Sequence, residues 1–339
     1  MARKRKKVLK ECFSNFIKCL VFIGLSALVF WYAHNNFYVI RKKFYSIKDS
    51  IKKVNGDFYT KAKIAYQQEQ YEKCVKNPLP EEGFNEQTSS KKQEIVDYSK
   101  KNGLKYKYED LKLGYSFSYA ENDSLYGASL IKLVDALYLI DNDVDLSKKI
   151  KYESKYVRGS SEGMSKHSLG SYITLEDLMK YAITYSDNTA HAMLYEYIGK
   201  SNLKNYANNL GATTIFTGTG DTFGNQTVHD TAIYLKRAYE VVDEKPNGKI
   251  LKEAMLNTRK NKLNFDDITY AHKYGSWEQY FHNIGIHYGD YPYTVSVLTT
   301  KGENNAPAYI NKLSKLSYEF NKLYYENLLT YCDIESKKD

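Results

Sequence analysis

A chain of 339 residues with a net charge of +9 is long enough for one sizeable core plus an appendage. Residues 1–43 hold ten basic side chains and a single acid, Glu11, whereas 39 basic and 39 acidic side chains balance over 44–339. The excess brackets one apolar segment, a topogenic arrangement that argues against nucleic-acid binding by the neutral body.

That segment runs from Cys19 to Ala33, with Phe13, Phe16 and Ile17 just ahead of it. It is near the short end for a membrane span, which needs about 20 residues. Lys18 suits the basic side, and Trp31 and Tyr32 suit the opposite interface. A cleaved signal peptide is the competing reading, but no small-x-small site follows the apolar run; His34, Asn35, Asn36 and Phe37 stand there. Residues 1–40 are therefore expected to form a cytoplasmic basic tail and a single-pass anchor. It would meet the membrane through 13–33 and leave the body on the extracytoplasmic side of the cell membrane.

Residues 41–90 read as stalk and linker. The part to 76 is lysine-rich and helix-compatible, and Asn77-Pro78-Leu79-Pro80-Glu81-Glu82-Gly83 is rich in breakers. Cys74 and Cys332 are the cysteines away from the anchor; the compartment permits their pairing and no spacing framework implies it.

From Lys91 to Asp339 the pattern tightens into one domain. A short helix (91–101) leads to two Tyr-, Phe- and Leu-rich runs, Leu104–Glu109 and Gly114–Ala120, that read as a hairpin. Residues 128–140 predict a strongly apolar helix, followed by helical patterns at 174–185, 189–198, 201–209 and 227–242. Strand-like runs at 268–275, 281–288 and 292–300 precede a long helix from about 305 to 329. Strands at both ends with helices between predict an α+β domain built on a single antiparallel sheet.

Three constellations carry chemistry. In Ser129-Leu130-Ile131-Lys132 the two polar side chains share a helix face, and burial beside Leu130, Leu133 and Val134 would lower the lysine pKa and make it a base for the hydroxyl. The same spacing recurs at Ser50–Lys53, Ser89–Lys92 and Ser201–Lys204, but only Ser129 opens a long apolar helix after a small-residue step. Taken singly, Ser186-Asp187-Asn188 reads as a helix N-cap, and Lys273 in His272-Lys273-Tyr274-Gly275-Ser276 as an exposed edge-strand lysine.

Together, and in this order, Ser-x-x-Lys, Ser-Asp-Asn and Lys-x-Gly resemble the class A β-lactamases and penicillin-binding proteins. Tyr181–Gly199 is similar to the family's segment around its second motif, and Phe281–Thr300 to its last two strands. The resemblance covers residues 91–330. It implies the β-lactamase/transpeptidase-like fold, with an antiparallel sheet from both chain ends and a helical subdomain. It further implies acylation of Ser129 with Lys132 as proton-transfer partner and Ser186 as relay to the leaving nitrogen. Asn188 would bind the substrate amide and Lys273 the substrate carboxylate, with Tyr274, Gly275 and Ser276 lining the site. The backbone amides of Ser129 and Ser276 would form the oxyanion hole. The implied substrates are β-lactams or peptidoglycan stem peptides.

Two positions depart from the family's pattern. Tyr274 stands where the family usually has Thr or Ser, which bears on affinity for ordinary penicillins. Class A enzymes carry a Glu-x-x-x-Asn loop for deacylation, but no glutamate lies between Lys200 and Ala238 here. Asp221 with Asn225 has the right spacing and is the candidate deacylation base, one methylene shorter; otherwise it is a turn residue. Slow deacylation is the expectation. A D-alanyl-D-alanine carboxypeptidase or esterase of the cell wall is the alternative enzyme reading. A catalytically idle wall-binding or antibiotic-sensing module is the reading from another class. No cofactor is implied, and no His-Glu-x-x-His or cysteine spacing suggests a metal. His272, His282 and His287 fall on or near strands as packing or surface residues.

Overall fold

A computed structural model of the chain describes residues 17–27, 58–216 and 223–336. It divides into two units, Met1–Glu69 and Gln70–Asp339. In the first, 17–27 is helical and exposes Leu20, Val21, Phe22, Ile23 and Leu25. Among the described residues no helix is long and apolar enough to cross a membrane. The rest of the segment expected to contact the membrane, 13–16 and 28–33, lies outside the described residues. Helix α1 (Phe58–Cys74) covers part of the expected stalk.

The second unit is built on an entirely antiparallel five-stranded sheet whose strands run, edge to edge, Ser116–Tyr119, Lys105–Asp110, Tyr293–Leu298, Tyr280–His287 and Ala271–Trp277. The hairpin near the start supplies β1 (Lys105–Asp110) and β2 (Ser116–Tyr119). The three late runs supply β7 (Ala271–Trp277), β8 (Tyr280–His287) and β9 (Tyr293–Leu298). As expected, the two chain ends share the sheet. β9 is buried along its whole length because both of its faces are covered. Helices α2 (Glu86–Asn102) and α9 (Gly302–Glu335) lie on one face.

The other face carries the helical lobe, made of α3 (Lys132–Asp141), α4 (Leu175–Thr184), α5 (Asn188–Ile198), α6 (Lys200–Leu210), α7 (Val228–Glu244) and α8 (Gly248–Leu256). Alternation along β9 assigns Tyr293, Val295 and Val297 to the α2/α9 side, while Ser296 accepts a 2.9 Å hydrogen bond from Thr231 of α7. Two short ribbons escape the sequence patterns: β3 (Leu125–Tyr126) with β6 (Asn225–Gln226), and β4 (Lys149–Lys151) with β5 (Tyr172–Thr174). Two- and three-residue strands are too short to show a period.

The α2/α9 side is an aromatic core. Phe320 packs against Tyr108, Phe117 and Tyr115 with ring centroids at 5.2, 4.9 and 6.0 Å. A tyrosine core needs partners for its hydroxyls. Tyr106 pairs with Ser317 at 2.6 Å, Tyr270 with Tyr293 at 2.6 Å, and Tyr325 donates to Asp110 at 2.6 Å.

The breaker-rich stretch expected as linker belongs to this core. Leu79 is buried and its N–H donates to the Tyr324 hydroxyl at 2.9 Å, while Phe84 packs edge-on to Tyr115 and Tyr324. The helix expected at 91–101 begins earlier, at Glu86, because Asn85 caps it by accepting from the Thr88 N–H. Cys74 is bonded to Cys332 of α9, closing 258 residues. Both local breaker signals and a lone buried leucine lack the periodicity by which packing is read from sequence.

Because the cross-link spans nearly the whole unit, it removes much conformational freedom from the unfolded chain. Cys332→Ser is expected to lose roughly 2–5 kcal/mol in urea unfolding under non-reducing conditions. Unchanged stability would mean the bond is not formed.

Candidate active site

The site sits where the sheet's β7 edge meets the helical lobe. Residues 128–140 do not form one continuous helix as expected. Ala128 has a positive φ of 46°, and Ala128–Ile131 form a 3₁₀ turn before α3 begins at Lys132. In such a turn, residues three apart eclipse, so Ser129 and Lys132 align more closely than on an α-helix. Lys132 Nζ lies 2.8 Å from Ser129 Oγ.

Lys132 is fully buried, yet its head group is well held. It donates to the Ser186 carbonyl at 2.6 Å and to Asn188 Oδ1 at 2.6 Å, with Ser186 Oγ at 3.4 Å. Burial pushes its pKa down to about 7, against the opposing charges of Asp135 and Asp187. With two N–H groups committed to strong acceptors, the third position points at Ser129. In the neutral amine that position is a lone pair, so the hydroxyl of Ser129 can donate its proton there.

Ser186 is placed by a strained backbone. Its φ of 55° lies in the left-handed region, at a cost of about 1–3 kcal/mol. The strain turns both its carbonyl and its hydroxyl towards the lysines. Asp187 then caps α5 by accepting from the Ala190 N–H at 2.9 Å, and also accepts from the Met164 N–H at 2.9 Å. The capping role read from Ser-Asp-Asn is thus real and falls to Asp187, freeing Ser186 and Asn188 for the site.

Lys273 projects from β7 into the same cluster and donates to Ser186 Oγ at 2.8 Å and to its neighbour's carbonyl, Tyr274 O, at 2.8 Å. It is not the exposed edge lysine of the simpler reading. Burial, then the charges of Lys132 and Lys260, hold its pKa well below the usual lysine value. The Tyr274 ring centroid lies 4.3 Å from Lys273 Nζ. Burial raises the phenol pKa. Where the family usually has a small hydroxyl, an aromatic face packs over the Lys273 head group.

Gly275 lets β7 approach the turn that carries Ser129. A Cβ there would stand 2.5 Å from Gly127 O. Ser276 directs its hydroxyl at Glu303, at 2.8 Å, so only its backbone can serve the site. Asp221 lies outside the described residues. His272 and His282 are buried packing groups whose pKa values burial lowers to about 3 and about 4. Among the described residues no cluster of His, Cys, Asp or Glu could hold a metal ion.

Sequence reasoning missed Asp135 and His191. They form a buried pair between α3 and α5, with His191 Nδ1 donating to Asp135 Oδ2 at 2.5 Å. The available signal was a single acid inside a strongly apolar helix, three residues after Lys132, facing a histidine three residues after Asn188.

A family model described as the beta-lactamase enzyme family matches residues 87–321. Among solved structures, the TLA-3 extended-spectrum beta-lactamase aligns with a TM-score of 0.61 at 18% identity, covering 69% of this chain and 98% of that one. An acyl-enzyme complex of a PBP-A mutant with penicillin G aligns with a TM-score of 0.61 at 17% identity, covering 68% and 96%. A class A beta-lactamase from Bacteroides cellulosilyticus aligns with a TM-score of 0.60 at 19% identity, covering 70% and 99%. At these identities the structures establish the shared fold. No curated protein matches the sequence.

The close approach at Gly275 has a direct consequence. Gly275→Ala is expected to destabilise the protein by roughly 1–3 kcal/mol in urea unfolding, because backbone must move to admit the methyl group. Wild-type stability in that variant would contradict the tight strand-to-turn packing.

Proposed function

The chain belongs to the β-lactamase enzyme family and is a serine hydrolase, and we propose that it forms an acyl-enzyme on Ser129 with β-lactams or with peptides ending in D-alanyl-D-alanine. The observation that carries this reading is the 2.8 Å approach of Lys132 Nζ to Ser129 Oγ, with the other N–H groups of that lysine held. Neutral Lys132 takes the Ser129 proton as Oγ attacks the substrate carbonyl carbon. The N–H groups of Ser129 and Ser276 receive the developing oxyanion. Ser186 Oγ, between the two lysines, passes a proton to the leaving nitrogen, and Lys273, whose protonation an arriving substrate carboxylate favours, pairs with that carboxylate. Asn188 holds the substrate amide.

Deacylation is slow in this reading, supported by the lack of any glutamate between Lys200 and Ala238. The D,D-peptidase or esterase reading is favoured by the same lack. We also propose that residues 13–33 anchor the chain in the cell membrane with the body extracytoplasmic. The basic residues flanking the apolar segment support that orientation, and the Cys74–Cys332 bond fits an oxidising compartment.

Intact-mass measurement of the full chain with benzylpenicillin should show a long-lived adduct that Ser129→Ala lacks. An adduct that persists in Ser129→Ala would contradict the assignment. Lys132 is charged below its depressed pKa and neutral above it. The acylation rate should therefore rise with pH through about 7 and then level off. Lys132→Ala should slow acylation by about a hundredfold or more.

A further inference from the structure

Two rungs cross between α3 and α5. The first joins Lys132 to Asn188 at 2.6 Å; the second, three residues further along each helix, joins Asp135 to His191 at 2.5 Å. The first rung belongs to the acylation machinery. The second has the arrangement of a histidine oriented by a carboxylate: Nδ1–H is committed to Asp135, which leaves the lone pair on Nε2.

Nε2 of His191 is buried and has no hydrogen-bond partner. An unpaired buried acceptor is costly and calls for an explanation. His191 lines a cleft of about 380 Å³ together with Arg158, Asn188, Tyr195, Phe223 and Trp277. The ring of Phe223 lies 5.1 Å from the His191 ring and 5.6 Å from Lys132 Nζ, so it spans the two rungs. Three residues, a rise of about 4.5 Å, separate His191 from Asn188 on α5. The shared cleft sets His191 beside Asn188, whose Oδ1 accepts from the lysine that contacts Ser129.

Resting on the acyl-enzyme reading above, we propose that His191, oriented by Asp135, is the base that activates the water for deacylation. Nε2 takes a proton from water as the hydroxide oxygen bonds to the acyl carbonyl carbon. The tetrahedral adduct then collapses, breaking the bond between that carbon and Ser129 Oγ. The proton held on Nε2 returns through Lys132 to Ser129 Oγ. Ester and water become acid and alcohol, with no other reactant consumed. Phe223, packed on the imidazole, limits water entry and accounts for slow turnover.

The test separates acyl-enzyme formation from its loss in the full chain, by intact mass after a pulse of benzylpenicillin or, in parallel, p-nitrophenyl acetate. His191→Gln and Asp135→Asn should be acylated at near the wild-type rate yet lose the adduct at least about tenfold more slowly. Added imidazole should restore loss in His191→Ala. Asp221→Asn should behave as wild type. Thermal unfolding of each variant guards against a folding defect, and Phe223→Ala, which leaves the pair intact, should shorten the adduct lifetime. Wild-type lifetimes in folded His191→Gln would overturn the proposal and leave the acyl-enzyme reading standing. No adduct on wild-type protein with either probe would overturn both.

Discussion

The site depends on the burial of Lys132. An ammonium removed from water is unstable unless compensated, and here the compensation is partial: two short hydrogen bonds hold the head group while its pKa falls to about 7. That places the lysine at the boundary between acid and base near neutral pH. Every other feature of the site serves to keep it dry, held and aimed at one hydroxyl.

Three parts of the fold converge on it. The 3₁₀ turn before α3 brings Ser129 and Lys132 into register. The left-handed backbone of Ser186 sends a carbonyl to Lys132 and a hydroxyl to both lysines. Strand β7 closes on the turn only because position 275 has no side chain. Strain and close packing at the site are offset elsewhere, chiefly in the aromatic core and in the bond joining Cys74 to α9. Burial disfavours protonation of Lys273, and the like charge of Lys132 across Ser186 adds to that.

Much of this is legible in the sequence because chemistry with fixed spacing leaves a local trace. Ser129 and Lys132 are three apart, Ser186-Asp187-Asn188 is contiguous, and Lys273 and Gly275 alternate on one strand face. Strand runs near both ends foretell the shared sheet. What stays hidden is what depends on contacts between distant segments. The aromatic cover that Tyr274 gives Lys273 needs β7's edge position, which a bulky residue name alone does not supply. The Asp135–His191 pair needs the crossing of α3 and α5. Leu79, set between two prolines, carries no period, so its packing under Tyr324 is invisible without the fold.

The most direct test is the titration of Lys132 itself, by ¹⁵N NMR of the side-chain amino groups, assigned with Lys132→Arg. A resonance that titrates near pH 7 is the result this account predicts. Titration above pH 10 would show a solvated ammonium, and a lysine of that kind would not serve Ser129 as a base.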